Sequence, residues 1–297
     1  MNKLLIPDYE LLTIDGWKKI GDITLNDKIA TLNNNELIYD NPIEIDFYGN
    51  LPIIMYKIEN KDVDIDISIT NRLLTKSKED KEFKLTECKD FIVNTVKYKR
   101  NCLINKKKFT LFDDNRLNLL IQLHGIWFSY AFLNEKDNNY YISANENTSH
   151  IVCNLCNKLN YKYNIYIDNI LIEDNYYCYL VRHYKTFPKW IWELDQKQSR
   201  LFLDMILLNK YNNNNKKINY KCENINIMND MMRLCINAGL SSTFNYKTNK
   251  LTIYYDYHEP IVNNICGSIY DYDGLIYSII VPNETIMIRK NGKTLWL

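Results

Sequence analysis

The stretch from Trp190 to Leu240 constrains the fold more than any other. Trp192, Leu194, Leu201, Leu203, Leu207 and Leu208 give a helical face of apolar side chains, and Asp195 is a helix-start signal. The spacing predicts a helix of about 15 residues. A loop rich in Asn and Lys follows, then a short strand pattern and a second amphipathic helix from Met228 to Ala238. Gly239 supplies a left-handed stop.

A chain of 297 residues can build two domains with separate cores. Its 46% hydrophobic and 25% charged residues are those of a soluble globular protein. No apolar run is long enough for a membrane span, and Met1 to Pro7 is too short and abrupt for a secretory signal. A net charge of +1 argues against a general polyanion binder and leaves room for a local basic face. The eight cysteines have no framework spacing, so they read as reduced thiols in an intracellular protein. Heavy use of Asn, Ile, Lys and Tyr reflects AT-rich codons.

Residues 1 to about 100 alternate short strands with turn signals, which predicts an all-β module. Leu11 to Thr13 precedes the turn pair Asp15-Gly16. Further runs are Asp27 to Leu32, Leu37 to Tyr39, Ile43 to Tyr48, Ile53 to Ile58 and Val63 to Ile69. The segments LLTIDGWKKIGDITLNDKIATLNNNELIYDNP, VDIDISITNRLLTKS and FKLTECKDF resemble successive blocks of a Hint module, the hedgehog/intein splicing fold. In that family a first Cys or Ser attacks the preceding carbonyl, and a Thr-x-x-His block polarises the bond. Counting back from Gly16 puts the first position at Leu4 or Leu5, neither of them a nucleophile. The block reads Ser68-Ile69-Thr70-Asn71, with Asn71 in the place of the His.

The basic run Lys106-Lys107-Lys108 leads to a helix pattern from Asn115 to Phe132. There Gly125 and Ser129 form a small-residue stripe suited to close packing against another helix. LLIQLHGIWFSYAF resembles the first helix of a LAGLIDADG homing endonuclease, and the helix ending at Asn209-Lys210-Tyr211 resembles the second. The resemblance implies a metal-binding Asp at each helix tip. Tyr130 and Lys210 stand there instead, and neither suits a hard cation. The order helix-strands-helix-strands in residues 115–184 recurs in 190–256. The chain closes with Tyr277-Ser278, Val281-Pro282-Asn283 and Arg289-Lys290-Asn291-Gly292-Lys293, which resemble the last Hint strands. Ser278 replaces a Cys often found in that block.

Lys162, Arg182, Lys185, Lys216, Lys217, Lys221, Lys247 and Lys250 interleave with tyrosines on strands that the resemblance makes a DNA saddle. Lys210 joins this DNA-binding set, where its charge would stand in for the lost metal. Two readings stay open for these residues: phosphate contacts, or ordinary solvated charges and a lysine at a helix end. Residues 105–261 hold 19 Lys+Arg and 15 Asp+Glu, a net of +4, which leaves −3 elsewhere. His150, Cys153 and Cys156 lie along one stripe without a second ligand pair, so they read as packing rather than metal ligation. The other histidines, His124, His183 and His258, read as structural, and Phe187 to Trp192 as the join between endonuclease halves.

The expectation is an α+β protein. A split β-rich Hint module, residues 1–104 and 262–297, encloses a pseudo-two-fold αββαββ LAGLIDADG-like domain at 105–261. The resemblance implies an inactive descendant of an intein-encoded homing endonuclease, kept as a non-catalytic DNA-binding or DNA-associated factor in transcription or replication. One alternative is a structural or protein-interaction subunit, for example of a viral complex, and another is a residual site-specific endonuclease. No catalytic residue, metal or cofactor is expected. The expected partners are double-stranded DNA or a protein assembly, with no membrane and no small-molecule substrate. The expected location is intracellular, in host cytoplasm or a virion.

Overall fold

The computed structural model describes residues 2–49, 52–106, 113–173, 187–208, 216–221, 223–256 and 259–297. The protein is α+β, rich in antiparallel sheet with few helices. Contacts divide it into two compact units. Unit 1 joins residues 1–104 to 216–297, and unit 2 is residues 105–215.

The N-terminal part of unit 1 runs β1 (Lys3–Leu5), β2 (Glu10–Thr13), β3 (Gly16–Lys19), β4 (Ile29–Asn33), β5 (Glu36–Asp40), β6 (Glu44–Tyr48), β7 (Ile53–Glu59), β8 (Asp64–Ser68), β9 (Arg72–Lys76), β10 (Lys84–Glu87), α1 (Cys88–Phe91) and β11 (Thr95–Tyr98). Unit 2 carries α2 (Asp114–Tyr130), β12 (Ala131–Asn134), β13 (Asn139–Ser143), α3 (Glu146–Leu159), β14 (Tyr163–Tyr166), β15 (Asn169–Ile172) and α4 (Gln196–Ile206). Unit 1 resumes with β16 (Lys217–Lys221), α5 (Ile225–Asn237), β17 (Ser241–Asn245), β18 (Lys250–Tyr254), β19 (Ile261–Asn263), β20 (Ser268–Tyr272), β21 (Ile276–Ile280), β22 (Met287–Lys290) and β23 (Lys293–Trp296).

Local chemistry explains most boundaries. Gly16 takes φ 118° at the turn between β2 and β3, a value open to residues without a Cβ. Asp113, Asn145, Asp195 and Asn224 cap their helices by accepting backbone N–H groups, each cap stabilising by about 1 kcal/mol. Gly239, at φ 72°, ends the segment after α5. One expectation is corrected here. The helix predicted at about 15 residues has 11, starting at the expected Asp195 cap, where a capping box with Gln198 fixes its first turn after Leu194. Trp192 instead belongs to a 3₁₀ turn, Lys189–Glu193.

Unit 1 holds three sheets. The first has order β20-β7-β8-β1-β21-β6, and the second β10-β9-β11-β19. The third has order β16-β18-β17-β23-β22-β2-β4-β5, with β3 paired to β2. Its core includes Leu12, Ala30, Ile236 and Trp296. The boundary predicted at 261/262 lies at 215/216 by contacts. The reason is that β17 pairs with the C-terminal hairpin at Thr243↔Lys293, which draws 216–254 into the sheet of the N-terminal strands. That hairpin turns through Asn291 (φ 47°) and Gly292 (φ 73°), and the Gly292 carbonyl accepts the N–H of Phe244 at 2.8 Å. A Cβ on Gly292 would sit 2.2 Å from the Phe244 carbonyl oxygen, so only glycine fits the junction.

Unit 2 packs its helices over the sheet β12-β13-β15-β14, around Leu123, Ile126, Trp127, Ile142, Val152 and Ile170. Among the described residues no helix is long and apolar enough to cross a membrane.

Candidate functional site

Alternation along three strands builds one strongly polar surface in unit 1. Ile218, Phe244, Leu251 and Ile253 are buried, so period-two geometry turns Lys217, Asn219, Lys221, Thr243, Asn245, Lys250, Thr252 and Tyr254 to the other face. The register lines these up in rows. Lys217 is opposite Tyr254, Thr252 lies between Asn219 and Thr243, and Thr243 is opposite Lys293. Successive rows lie about 7 Å apart along the strands.

A groove of about 1030 Å³ lies over this face. Lys61, Lys216, Lys217, Lys247, Lys250 and Lys293 line it, against the carboxylates Glu59, Asp62 and Asp256. Six cations against three anions leave a net positive lining. Thr252 donates to Asn219 Oδ1 at 3.0 Å, and the hydroxyls of Thr243 and Tyr254 meet at 3.3 Å. Lys216 Nζ lies 3.8 Å from Asp256, and Lys293 Nζ donates to the Asn60 carbonyl at 2.5 Å. Exposed lysines with hydroxyl, amide and phenol groups are the donor set that contacts phosphate and sugar oxygens. The groove is open to solvent rather than enclosed.

Four of the lysines expected to bind DNA, Lys216, Lys217, Lys247 and Lys250, therefore share one groove. Lys221 continues the same strand face but pairs with Glu223 at 2.8 Å, a contact that lowers the Glu223 pKa and raises that of Lys221. Lys162 belongs to unit 2, beside β14. Arg182, Lys185 and Lys210 lie outside the described residues. Lys61 and Lys293 are additions that sequence reading missed. They come from the β7–β8 loop and the final hairpin, and no local pattern ties either to β16–β18.

In unit 2, α2 and α4 pack closely, as the small-residue stripe predicts. A Cβ on Gly125 would lie 2.6 Å from Met205 Cβ and 2.8 Å from the Phe202 carbonyl oxygen. Ser129 Oγ donates to the Ile206 carbonyl at 2.7 Å, tying the two helix ends together. Tyr130 is the last residue of α2 and is half-buried against the unit 2 core. Asp204 forms an i,i+4 pair with Arg200 at 3.2 Å, on the helix side. Among the described residues no three His, Cys, Asp or Glu side chains come together to hold a metal. Cys153 and Cys156 are free thiols, and burial pushes Cys156 up to about 12. His124 is enclosed by Phe202 and Trp190, and burial lowers its pKa to about 4.

The positions matching the splicing blocks also converge. β1 lies between β8 and β21, which sets Leu4 opposite Ser278. Asn71 reaches the same residue from the turn after β8. Its Oδ1 accepts the Leu4 N–H at 2.9 Å, and its Nδ2 donates to the Leu4 carbonyl at 2.6 Å. The contact falls on Leu4 of the two candidates. Both functions of the buried Asn71 amide are spent on one backbone unit, and neither Leu4 nor Asn71 offers a nucleophile or a proton carrier. Next to them the Lys3 amine donates to the Arg72 carbonyl at 3.0 Å, and burial with the Arg72 charge lowers its pKa to about 7.

No family model matches the chain. It is 24% identical over 387 residues to a DNA-directed RNA polymerase subunit beta C-terminal section from Stigeoclonium helveticum, covering 98% of this chain and 36% of that protein. It is also 23% identical over 298 residues to an ATP-dependent Clp protease proteolytic subunit from Chlamydomonas moewusii, covering 84% and 29%. The chain thus spans about a third of each relative. Neither carries a viral name, so a viral source finds no support in them. Among solved structures, the splice-inactive AceL NrdHF class 3 split intein matches at TM-score 0.36, with 10% identity over 98% of this chain and 95% of that one. A variant of the homing endonuclease I-DmoI in complex with its target DNA matches at TM-score 0.35, with 14% identity over 48% and 90%.

Proposed function

We propose that this chain is an intein-like protein that neither splices nor cuts and that binds nucleic acid through the lysine groove of unit 1. The observation carrying the reading is the groove itself, where three separate chain segments bring six lysines and a lattice of hydroxyl and amide donors onto one sheet face. Such a surface neutralises phosphates and holds a duplex without reading bases. The loss of chemistry is supported by Leu4 and Asn71 at the would-be splicing point and by Tyr130 at the α2 tip. The relatives support the intein-like origin. A polymerase subunit and a protease subunit have unrelated activities, yet each matches this chain over about a third of its length. A segment common to both is most simply an element inserted into each.

Fluorescence anisotropy with a labelled 20-base-pair duplex tests this. Binding at 50 mM salt that weakens steeply towards 200 mM is the expected result, with charge reversal at Lys217 and Lys250 removing it. Absence of binding at 50 mM overturns the reading, and Mg²⁺-dependent nicking of a plasmid library overturns its non-cutting half. A protein-interaction role has one observation in its favour. Phe132, Ile165, Tyr166 and Ile167 are exposed apolar side chains on or beside the unit 2 sheet. Salt-insensitive capture of a protein partner with no DNA affinity would favour that role.

A further inference from the structure

Unit 1 buries Arg100, Arg233 and Arg289, and it treats the first and the last in opposite ways. Arg289 is well paired. Its Nε and Nη2 donate to the two Glu10 oxygens at 2.7 and 2.8 Å, and its plane lies 4.3 Å from the centre of the Trp17 ring. Arg100 is 0% exposed, and none of its three guanidinium nitrogens meets a protein acceptor at full hydrogen-bond geometry, Tyr254 making only a looser contact. A buried charge with unfilled donors works against folding, and apolar groups of similar size are often better tolerated. Something other than stability therefore accounts for this side chain.

Its surroundings indicate what. The segment carrying Arg100 is stapled to the end of β23, because the Lys99 and Asn101 carbonyls accept the Trp296 backbone N–H and Nε1, both at 3.2 Å. The groups that support the Arg100 charge are Tyr254 and Asp62, and both line the groove. Burial lowers its pKa only to about 10, so it is a full cation at neutral pH. The groove lysines lie at the surface and are screened by salt, whereas a charge fixed in the interior is screened far less.

We infer that Arg100 is a buried positive pole held for the ligand of the groove, adding attraction for a phosphodiester backbone lying along the Tyr254–Asp62 side. This rests on the nucleic-acid reading above. Arg100 acts through the groove wall without touching the ligand, so it is a positioning residue.

The test compares Arg100→Met and Arg100→Lys with the wild-type chain, measuring thermal melting and affinity for the 20-base-pair duplex at 50 mM salt. Arg100→Met is expected to melt at the same or a higher temperature yet bind at least five-fold more weakly, with Arg100→Lys recovering most of the affinity. A folded Arg100→Met that binds within two-fold of wild type overturns the inference and leaves the nucleic-acid reading intact. A wild-type chain that binds no duplex overturns both. Should Arg100→Met not fold, arginine-selective NMR of the wild type decides. Addition of duplex is expected to move the Arg100 Nε–Hε resonance while that of Arg289 stays in place, and equal shifts or none overturn the inference.

Discussion

The sheet β12-β13-β15-β14 of unit 2 and the strands β16-β18-β17 of unit 1 are both antiparallel, yet they present opposite chemistry. The first has no Lys or Arg on any of its four strands. Its outer rows carry an aromatic series instead, with Phe132 stacked on Tyr141 at 6.0 Å and Tyr141 meeting Tyr166 edge-on at 5.5 Å. The second carries Lys217, Lys221 and Lys250 and borrows Lys293 from its neighbour. Inner positions of both are constrained by packing, with Ile142 and Ile170 in one matched by Ile218 and Ile253 in the other. Outer positions answer only to what the surface meets. Among the described strands of the two, cations stand on the second alone, as the proposed nucleic-acid groove requires.

The sharpest test separates the halves by stability. Gly125→Val places methyl groups where Met205 and the Phe202 carbonyl already sit, so unit 2 should lose about 3 kcal/mol, near the upper range of overpacking costs. Urea unfolding measures the loss, and duplex affinity measured below the transition should stay unchanged. A parallel fall in affinity would break the assignment of binding to unit 1.

Acidity separates them next. In the folded state His124 has its pKa lowered to about 4 from 6.5, so between those values the unfolded chain binds more protons and stability falls with acid. The loss amounts to about 3 kcal/mol by pH 4. Lys3 has its pKa lowered to about 7 from 10.5, so the same linkage acts in a higher window, and unit 1 gains stability as pH rises through 7 towards 10. Melting curves across pH should therefore show two separate slopes. His124→Phe should flatten the acid one and Lys3→Met the alkaline one, and a single shared slope would contradict the division.

Charge reversal compares the faces directly. Lys217→Glu with Lys250→Glu should weaken duplex binding on the order of a hundred-fold at low salt. Tyr166→Glu on the aromatic face should change it less than about two-fold. Equal effects would erase the contrast. The smallest expected effect is that of Asn71→Ala, which removes both bonds to Leu4 and should cost about 2 kcal/mol without altering binding.

Sequence reading carried the strands of residues 10–68 well, because turn pairs and alternation are local signals. It also identified the Asp195 cap, the Gly239 stop and the Gly125 stripe, where single residues decide the geometry, but missed the caps Asp113, Asn145 and Asn224. It made helix α4 too long by counting Trp192 and Leu194 on its apolar face, although they lie before the Asp195 cap that it had marked. The groove was half legible. Lys217 and Lys250 share a recognisable strand pattern, but Lys293 reaches them only through a strand pairing 50 residues distant, Thr243↔Lys293. Leu4, Asn71 and Ser278 were each singled out by resemblance, and their meeting depends on antiparallel register that no single segment encodes.

The hairpin turning at Asn291 and Gly292 has a consequence for assembly. Thr243↔Lys293 is the register pair through which β17 joins the strands contributed by residues 10–40. During synthesis β16, β17 and β18 are complete long before Lys293 leaves the ribosome. Until then they have no neighbour on the β17 side, and their unpaired edge is open to misassociation. Closing so distant a pair makes the nine-stranded sheet a slow, late event. The groove face is thus among the last parts of the molecule to form.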